Sequence, residues 1–212
     1  MVKETHLAKH RKEYSKSELS ISDLPKDPIA GVKTWVDLAI SEDVLEPTAM
    51  NLGTVNRALE PNVRTVLLKD IIDGEFVFYT NYESRKGDEI KAFENVCLHF
   101  FWPELQKQIR IKGIASKVDS QLSDTYFDMR PKESRIGACI SPQSKKIESR
   151  EELIEKHEQM MKLDTIKRPK NWGGYKIKPH YIEFWQGRMN RVHDRIVFEK
   201  EDTDWINYRI AP

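Results

Sequence analysis

The sequence predicts a mainly β protein with peripheral helices, and two β-rich stretches lead to that prediction. Between Thr48 and about Val118, turn-type residues such as Asp73-Gly74 separate five short runs: TAMNLGTV, NVRTVLLK, EFVFYT, NVCLHFFW and KQIRIKGIASKV. The last forty or so residues are again β-rich, in the segments WGGYKI, YIEFWQG, RVHDRIVFE and DWINYRI. So many strands on short connections favour an antiparallel sheet that curls toward a barrel.

Helices are predicted around this sheet. The segment DPIAGVKTWVDLAI has Asp27 as a candidate N-cap, a proline at the first helical position and apolar residues at helical spacing. The segment SRKGDEIKAF interrupts the strands, and Ser84 is placed to cap its start. Two more helices are predicted around Gln121–Met129 and Arg150–Leu163, the second opened by a Ser-x-x-Glu capping box.

Length and composition predict one domain over residues 21–212, preceded by a polar arm over residues 1–20 that is either a mobile terminus or a lid. The 35 Lys and Arg nearly cancel the 34 Asp and Glu, so no global field favours nucleic acid or an acidic membrane. No apolar run approaches a membrane span. Cys97 and Cys139 show no paired spacing, so we expect a cytoplasmic protein in which both are buried.

The C-terminal segment RVHDR is the first candidate for chemistry. If this segment is extended, its side chains alternate, and Arg191, His193 and Arg195 then share one face. The alternative is an ordinary solvated face of a strand. The six histidines are scattered without ligand spacing, so no metal site is expected.

A second candidate is YTNYESRKGDEI, where Arg85 and Lys86 fall in the first turn of a predicted helix. Cations oppose the helix dipole there, unless an anion sits at the same N-terminus and uses its free N–H groups. The segment therefore indicates a phosphate site, and an exposed basic turn is the alternative. A Gly-rich phosphate loop does not occur in the chain.

Two further segments carry polar side chains. In YFDMRPKESRIGACISPQS, Arg130 and Ser134 can both reach a phosphate if RPKES turns back on a helix end, and a polar connecting loop is the alternative. In KQIRIKG, Gln108 alternates with apolar residues, as in a half-exposed strand.

Taken together, these segments resemble the pyridoxine (pyridoxamine) 5′-phosphate oxidase family from about Arg11 to the terminal Pro212. The colinear motifs are RTVLLK, VFYTNYESRK, LQKQIRIKG, YFDMRP with SRIGACIS, NWGG, IEFWQG and RVHDR with YRIAP. The resemblance implies a split β-barrel of the FMN-binding type, with a six-stranded antiparallel Greek-key core. It also implies a homodimer whose C-terminal strands dimerise and whose active sites lie at the subunit interface.

The resemblance further implies FMN as cofactor and pyridoxamine 5′-phosphate or pyridoxine 5′-phosphate as substrate, oxidised by O2 to pyridoxal 5′-phosphate and H2O2. FMN would be bound by Arg64, Thr65, Val66, Leu67, Leu68, Lys69, Tyr79, Thr80, Arg85, Lys86 and Gln108, and by Gln143, Ser144, Trp185 and Arg195 of a partner chain. The substrate would be bound by Lys69, Tyr126, Arg130, Ser134, Arg191, Val192 and His193, under Arg11 and Tyr14 of the N-terminal arm. Arg191 and His193 would be the catalytic residues.

The sequence departs from the family pattern at four points. Glu46 stands where an aspartate is expected, Cys139 replaces a tryptophan, Val192 replaces a leucine, and the loop NRALEP before Arg64 lacks the expected Gly-containing turn. These changes affect affinity and rate more than reaction type. Two alternatives remain open: a split-barrel FMN oxidoreductase acting on another substrate, and a non-catalytic carrier of FMN or pyridoxal phosphate.

Overall fold

A computed structural model of the protein describes residues 13–212. The described chain forms two compact units. One contains the residues up to Pro47, His99–Ile111 and Tyr181–Pro212, and the other contains Thr48–Leu98 and Lys112–His180. We call them the first and the second unit.

Nine strands of the described residues form one sheet in the order β2-β1-β5-β6-β7-β4-β3, with β8 paired to β7 and β9 paired to β8. The strands are β1 (Ala49–Val55), β2 (Pro61–Leu67), β3 (Asp70–Ile72), β4 (Glu75–Asn81), β5 (Asn95–Trp102), β6 (Lys107–Lys117), β7 (Trp172–Gln186), β8 (Asp194–Glu201) and β9 (Asp204–Arg209). Antiparallel registers join Met50 to Val66 and Phe78 to Tyr175. The predicted mainly β architecture is confirmed.

Five α-helices accompany these strands within residues 13–212. They are α1 (Pro28–Ser41), α2 (Arg85–Ala92), α3 (Ser120–Met129), α4 (Lys132–Ile140) and α5 (Arg150–Met161). The caps predicted for three of them are present: Asp27 accepts a hydrogen bond from the Ile29 N–H, and Ser84 and Ser149 accept from N–H groups in the first turns of α2 and α5. No helix in this part of the chain is long and apolar enough to cross a membrane.

In the first unit, α1 lies on the sheet through its apolar face. Val32 and Ala39 are fully buried, and the Trp35 ring meets the Phe184 ring edge-to-face at 5.1 Å between centroids. Phe184 also contacts Phe198 of β8, which is buried. The helix is therefore fixed by burial of the apolar stripe that its sequence predicted.

In the second unit, one core lies on the sheet and another lies under the helices. Phe76 and Phe78 of β4 are fully buried in the sheet. The helical cluster consists of Phe127, Ile136 and Trp172, together with Ile166. Because α3 and α4 both contribute to this cluster, it fixes the chain reversal at Arg130 and Pro131 that separates them.

The structure corrects four expectations about local structure, one of which was an open alternative. WGGYKI and YIEFWQG form the single strand β7, because the fixed φ of Pro179 suits extended backbone although proline donates no hydrogen bond. Residues 132–140 form helix α4 where one alternative was a connecting loop. Cys97 and Cys139 are only half-buried.

The fourth correction concerns RVHDR. Strand β8 begins only at Asp194, and Met189–Arg191 is a short 3-10 turn in which Asn190 and Arg191 have left-handed φ values of 57° and 61°. The segment up to His193 is therefore not extended, and simple alternation does not place Arg191, His193 and Arg195 on one strand face.

Candidate active site

The second unit contains a cavity of about 530 Å³, which we call the main cavity. Its walls come from the end of β2, from β4, from the first turn of α2, and from the α3–α4 reversal. The residues that line it are Thr65, Val66, Leu67, Lys69, Tyr79, Thr80, Asn81, Lys86, Tyr126, Arg130, Ser134, Gly137, Ala138, Ser141, Gln143 and Trp172.

Lys86 is a buried cation in the wall of this cavity. Its Nζ donates to three neutral oxygens: Thr80 Oγ1 at 3.1 Å, Ser84 Oγ at 3.2 Å and Gln143 Oε1 at 3.0 Å. Burial lowers the pKa of Lys86 to about 8, the positive Arg64 lowers it as well, and Glu89 opposes both. A cation held only by neutral acceptors binds an anion at little further desolvation cost.

A smaller cavity of about 480 Å³ shares Thr65, Lys86 and Gln143 with the main one, and we call it the side cavity. It adds Arg64, Arg85 and Ser144 to its walls, together with Asn62 and Val63. It lies at the N-terminus of α2, where free N–H groups and the helix dipole favour negative charge. The basic first turn thus lies beside a cavity at a helix N-terminus, and the phosphate site predicted there stays a prediction.

Aromatic rings make one wall of the main cavity apolar. Tyr79 stacks on Tyr126 with 3.8 Å between centroids, and Trp172 lies parallel to Tyr79 at 5.6 Å. Burial raises the pKa of Tyr79 to about 12. These rings provide a flat apolar wall for a planar ligand.

Arg130 completes this wall with a half-buried guanidinium. Its guanidinium lies 4.6 Å from the centroid of Trp172, and burial lowers its pKa. Within the described residues, its Nη1 atom is buried and has no hydrogen-bond partner. An orphaned buried donor is costly, so this atom is suited to an anion that arrives with the ligand. Arg130 and Ser134 line the same cavity, as the RPKES segment predicted.

The first unit holds a separate group of predicted site residues around His193. The His193 ring lies 4.7 Å from Trp185, and Tyr14 contacts both rings at 5.9 and 5.7 Å. His193 Nδ1 accepts a hydrogen bond from the Arg188 backbone N–H at 3.0 Å, so the neutral ring carries its proton on Nε2. Burial and the positive Arg191 lower the pKa of His193, while Asp194 opposes them.

Arg195 and Gln108 lie in the same unit, and each has a side-chain hydrogen-bond partner there. Glu183 is fully buried and accepts from Arg195 Nε at 2.8 Å and from Arg110 Nη1 at 3.1 Å. Burial alone would raise the pKa of Glu183, but hydrogen bonds from Arg195 and Tyr181 outweigh it and lower the value. Gln108 Oε1 contacts His99 Nε2 at 2.9 Å.

The structure therefore gathers the predicted residues in two groups, one in each unit. Leu68 is buried and does not line either cavity. Val192 is 66% exposed. Gln143 and Ser144 lie beside the cavities of their own chain, although the resemblance had assigned them to a partner chain. Arg11 lies outside the described residues.

Sequence reasoning missed several residues of the site, among them Asn81, Trp172 and Glu89. Asn81 follows the predicted Tyr79-Thr80 pair, and Trp172 stands in the quoted NWGG motif, so both were close to a recognised signal. Glu89 lies in a helix, and nothing in its local sequence shows that the fold brings it to Arg64.

Comparisons with known proteins show the family to which the chain belongs. Residues 37–163 match the family described as pyridoxamine 5′-phosphate oxidase, and residues 172–212 match the pyridoxine 5′-phosphate oxidase C-terminal dimerisation region. The fold and these matches define an oxidoreductase of the split-barrel class. The chain belongs to the pyridoxamine 5′-phosphate oxidase family.

Curated relatives match along nearly the whole chain. The pyridoxine/pyridoxamine 5′-phosphate oxidase of Cytophaga hutchinsonii is 49% identical over 213 residues, which cover 98% of this chain and 99% of that protein. The protein of the same name from Leptospira interrogans serovar copenhageni is 48% identical over 206 residues, 95% of this chain and 96% of the relative.

Two solved structures share the fold. The structure of PhzG from Burkholderia lata 383, in complex with tetrahydrophenazine-1-carboxylic acid, superposes with a TM-score of 0.90 at 27% identity, covering 95% of this chain and 100% of that one. A pyridoxamine 5′-phosphate oxidase-related, FMN-binding protein from Nostoc punctiforme superposes with a TM-score of 0.73 at 16% identity, over 89% of this chain and all of that one. The second likeness concerns the fold alone.

Proposed function

We propose that the protein uses FMN to oxidise pyridoxamine 5′-phosphate and pyridoxine 5′-phosphate to pyridoxal 5′-phosphate, with O2 reduced to H2O2. One observation carries this proposal: the cavities of the second unit have two cationic places, at Lys86 and at Arg130, beside a wall of stacked aromatic rings. Two phosphates, one on the flavin and one on the vitamin, match these two cationic places. Two planar ring systems match the aromatic wall.

FMN fits the residues around the side cavity. Lys86, Arg85 and Arg64 supply positive charge, and the N-terminus of α2 supplies N–H donors. Thr65, Thr80 and Gln143 add neutral hydrogen-bonding groups. When bound, FMN would supply the two-electron redox chemistry that couples oxidation of the substrate to reduction of O2.

The substrate phosphate is assigned to Arg130, together with Lys69, Tyr126 and Ser134. Arg130 should contribute most to binding the phosphate, because its buried Nη1 has no hydrogen-bond partner among the described residues. Binding the phosphate here fixes the far end of the substrate, so that the pyridine ring is oriented by contacts elsewhere.

Arg191 and His193 are proposed to orient the pyridine ring and its reacting carbon. The Arg188 N–H occupies His193 Nδ1, so the neutral imidazole presents Nε2–H as a donor to a ring substituent. The lowered pKa of His193 favours this neutral form at neutral pH. For the amine, one water is consumed and ammonia is released, so that pyridoxamine phosphate, O2 and water give pyridoxal phosphate, ammonia and H2O2.

We also propose a homodimer with active sites at the subunit interface, in which Trp185 and Arg195 come from the partner chain. The match of residues 172–212 to the family's dimerisation region supports it.

Arg195→Ala and Lys86→Ala would then impair different halves of one site. Unfolding and refolding an equal mixture should restore up to about a quarter of wild-type activity, because half of the dimers are hybrids with one intact site. No restoration, or an active FMN-loaded monomer, would refute the shared site.

The direct test of function is to purify the protein, record its flavin absorption band, and add pyridoxamine phosphate under air. We expect pyridoxal phosphate and H2O2 to appear in equal amounts. An Arg130→Met variant is the matched control, since it should keep the flavin band and lose activity at low substrate concentration. Bound flavin without peroxide from either vitamin phosphate would refute the oxidase and favour a carrier.

A second candidate is a split-barrel FMN oxidoreductase that acts on a different ring system. The observation that favours it is the similarity to PhzG, which was solved with a tetrahydrophenazine carboxylic acid. That ligand is named as a carboxylic acid, whereas the Arg130 group is suited to a phosphate. Turnover of a phenazine precursor in preference to pyridoxamine phosphate would support this candidate over the oxidase.

A further inference from the structure

Glu89 is a buried carboxylate that the proposed reaction does not use. It lies on α2, its side chain is 4% exposed, and it lines neither the main nor the side cavity. Both of its oxygens accept hydrogen bonds from side chains: Oε1 from Asn62 Nδ2 at 2.8 Å, and Oε2 from Arg64 Nη2 at 2.9 Å and Thr54 Oγ1 at 2.5 Å. Burial of a carboxylate away from water costs free energy, and the hydrogen bonds from its partners offset that cost.

Arg64 is the partner that reaches the ligand site. Its side chain is 20% exposed and lines the side cavity, whereas the carboxylate that holds it does not. Arg64 Nη1 also donates to the Leu52 carbonyl at 3.1 Å and to Thr54 Oγ1. The guanidinium is thus fixed at both terminal nitrogens, and its remaining N–H groups keep one direction before any ligand arrives.

We propose that Glu89 is a positioning residue for the cofactor phosphate, which acts by holding the Arg64 guanidinium toward the side cavity. This inference rests on the proposed binding of FMN at that cavity. Charge-assisted hydrogen bonds are shorter and stronger than neutral ones, so a carboxylate orients an arginine better than an amide does. Pre-ordering the side chain removes an entropy cost from the binding step.

Loss of the Glu89 charge also has an effect of opposite sign on phosphate affinity. Glu89 is negative, so its charge also repels a phosphate, and its removal would favour anion binding by Coulomb attraction alone. We expect the loss of order to dominate because Glu89 lies outside the cavity lining. In addition, the Glu89 charge supports the protonated form of Lys86, which is a second cation of the site.

The test compares FMN with riboflavin, which lacks the phosphate, by quenching of flavin fluorescence on the apoprotein. In Glu89→Gln, the FMN dissociation constant should rise at least tenfold, which corresponds to about 1.4 kcal/mol, while that of riboflavin changes less than about twofold. The matched control is Glu83→Gln, an exposed carboxylate before α2 that bonds Asn171 instead of Arg64. It should leave both constants unchanged.

A double-mutant cycle tests the route through Arg64. Arg64→Gln should weaken FMN binding, and adding Glu89→Gln to it should cause little further loss, because the two residues act as one unit. If Glu89→Gln fails to fold, as judged by apoprotein melting, Glu89→Asp provides the same comparison with the charge retained and the side chain shortened.

Unchanged or tighter FMN binding in Glu89→Gln would overturn the inference, as would an equal loss of riboflavin affinity, which would indicate general loosening. Wild-type protein that does not bind FMN would instead overturn the proposed function. The two failures are therefore separate results of one titration series.

Discussion

The affinity for FMN should fall as the pH rises from about 7 to about 9, because Lys86 loses its proton in this range. Lys86 is buried among Thr80, Ser84 and Gln143, and burial lowers its pKa to about 8. The neutral amine contributes little to binding a phosphate dianion. The protonated form of Lys86, which is present at low pH, binds FMN, so the affinity for FMN falls as the pH rises through the pKa of Lys86.

The size of the effect follows from the fraction of Lys86 that is protonated. With a pKa of about 8, this fraction is about 0.9 at pH 7 and about 0.1 at pH 9, so the association constant should fall about tenfold. The phosphate of FMN is already ionised over most of this range, since its second pKa is about 6. Tyr79 remains neutral because burial raises its pKa to about 12.

The assay is a fluorescence titration of the apoprotein with FMN at several pH values and constant ionic strength. Lys86→Gln is the control: it should bind FMN more weakly at pH 7 and show no loss between about pH 7 and about pH 9. An equally steep loss in Lys86→Gln would assign the titration to another group. A wild-type affinity that stays constant over this range would refute the account of Lys86.

Three further predictions concern single residues. Arg130→Met should lower kcat/KM for pyridoxamine phosphate about ten- to a hundredfold, as for loss of a charged hydrogen bond, with the FMN dissociation constant unchanged; steady-state kinetics and flavin titration check both parts. Arg191→Ala should lower turnover at saturating substrate, and unchanged turnover would show that Arg191 does not orient the ring. Gly87→Ala should prevent folding of α2, since a Cβ would lie 2.0 Å from the Tyr82 carbonyl oxygen; a normal melting curve would contradict this.

The similarity to PhzG makes substrate choice the main functional question within this fold. A TM-score of 0.90 at 27% identity means that one backbone accommodates different side chains. In this chain the Arg130 guanidinium lies over Trp172 with a buried Nη1 that lacks a partner among residues 13–212. Replacing Arg130 therefore tests specificity as well as affinity.

Local features of the fold were readable from the sequence because they depend on neighbours in the chain. The Asp27 and Ser84 caps formed as predicted, since a cap needs only the N–H groups two or three residues ahead. Arg85 and Lys86 lie in the first turn of α2 as predicted, because a helix start is set locally. The family motifs added the expectation of FMN and a vitamin phosphate, and they contain most of the residues that line the cavities.

The tertiary structure decided what depends on residues distant in sequence. The RVHDR segment has a strand-like pattern, but a hydrogen bond from the Arg188 N–H to His193 Nδ1 and left-handed backbone at Arg191 keep it out of β8. Glu89 meets Arg64 only because α2 packs on strands that lie 25 residues earlier. Sequence periodicity reports which face of an element is apolar, whereas the partners of a buried charge are set by how the elements pack.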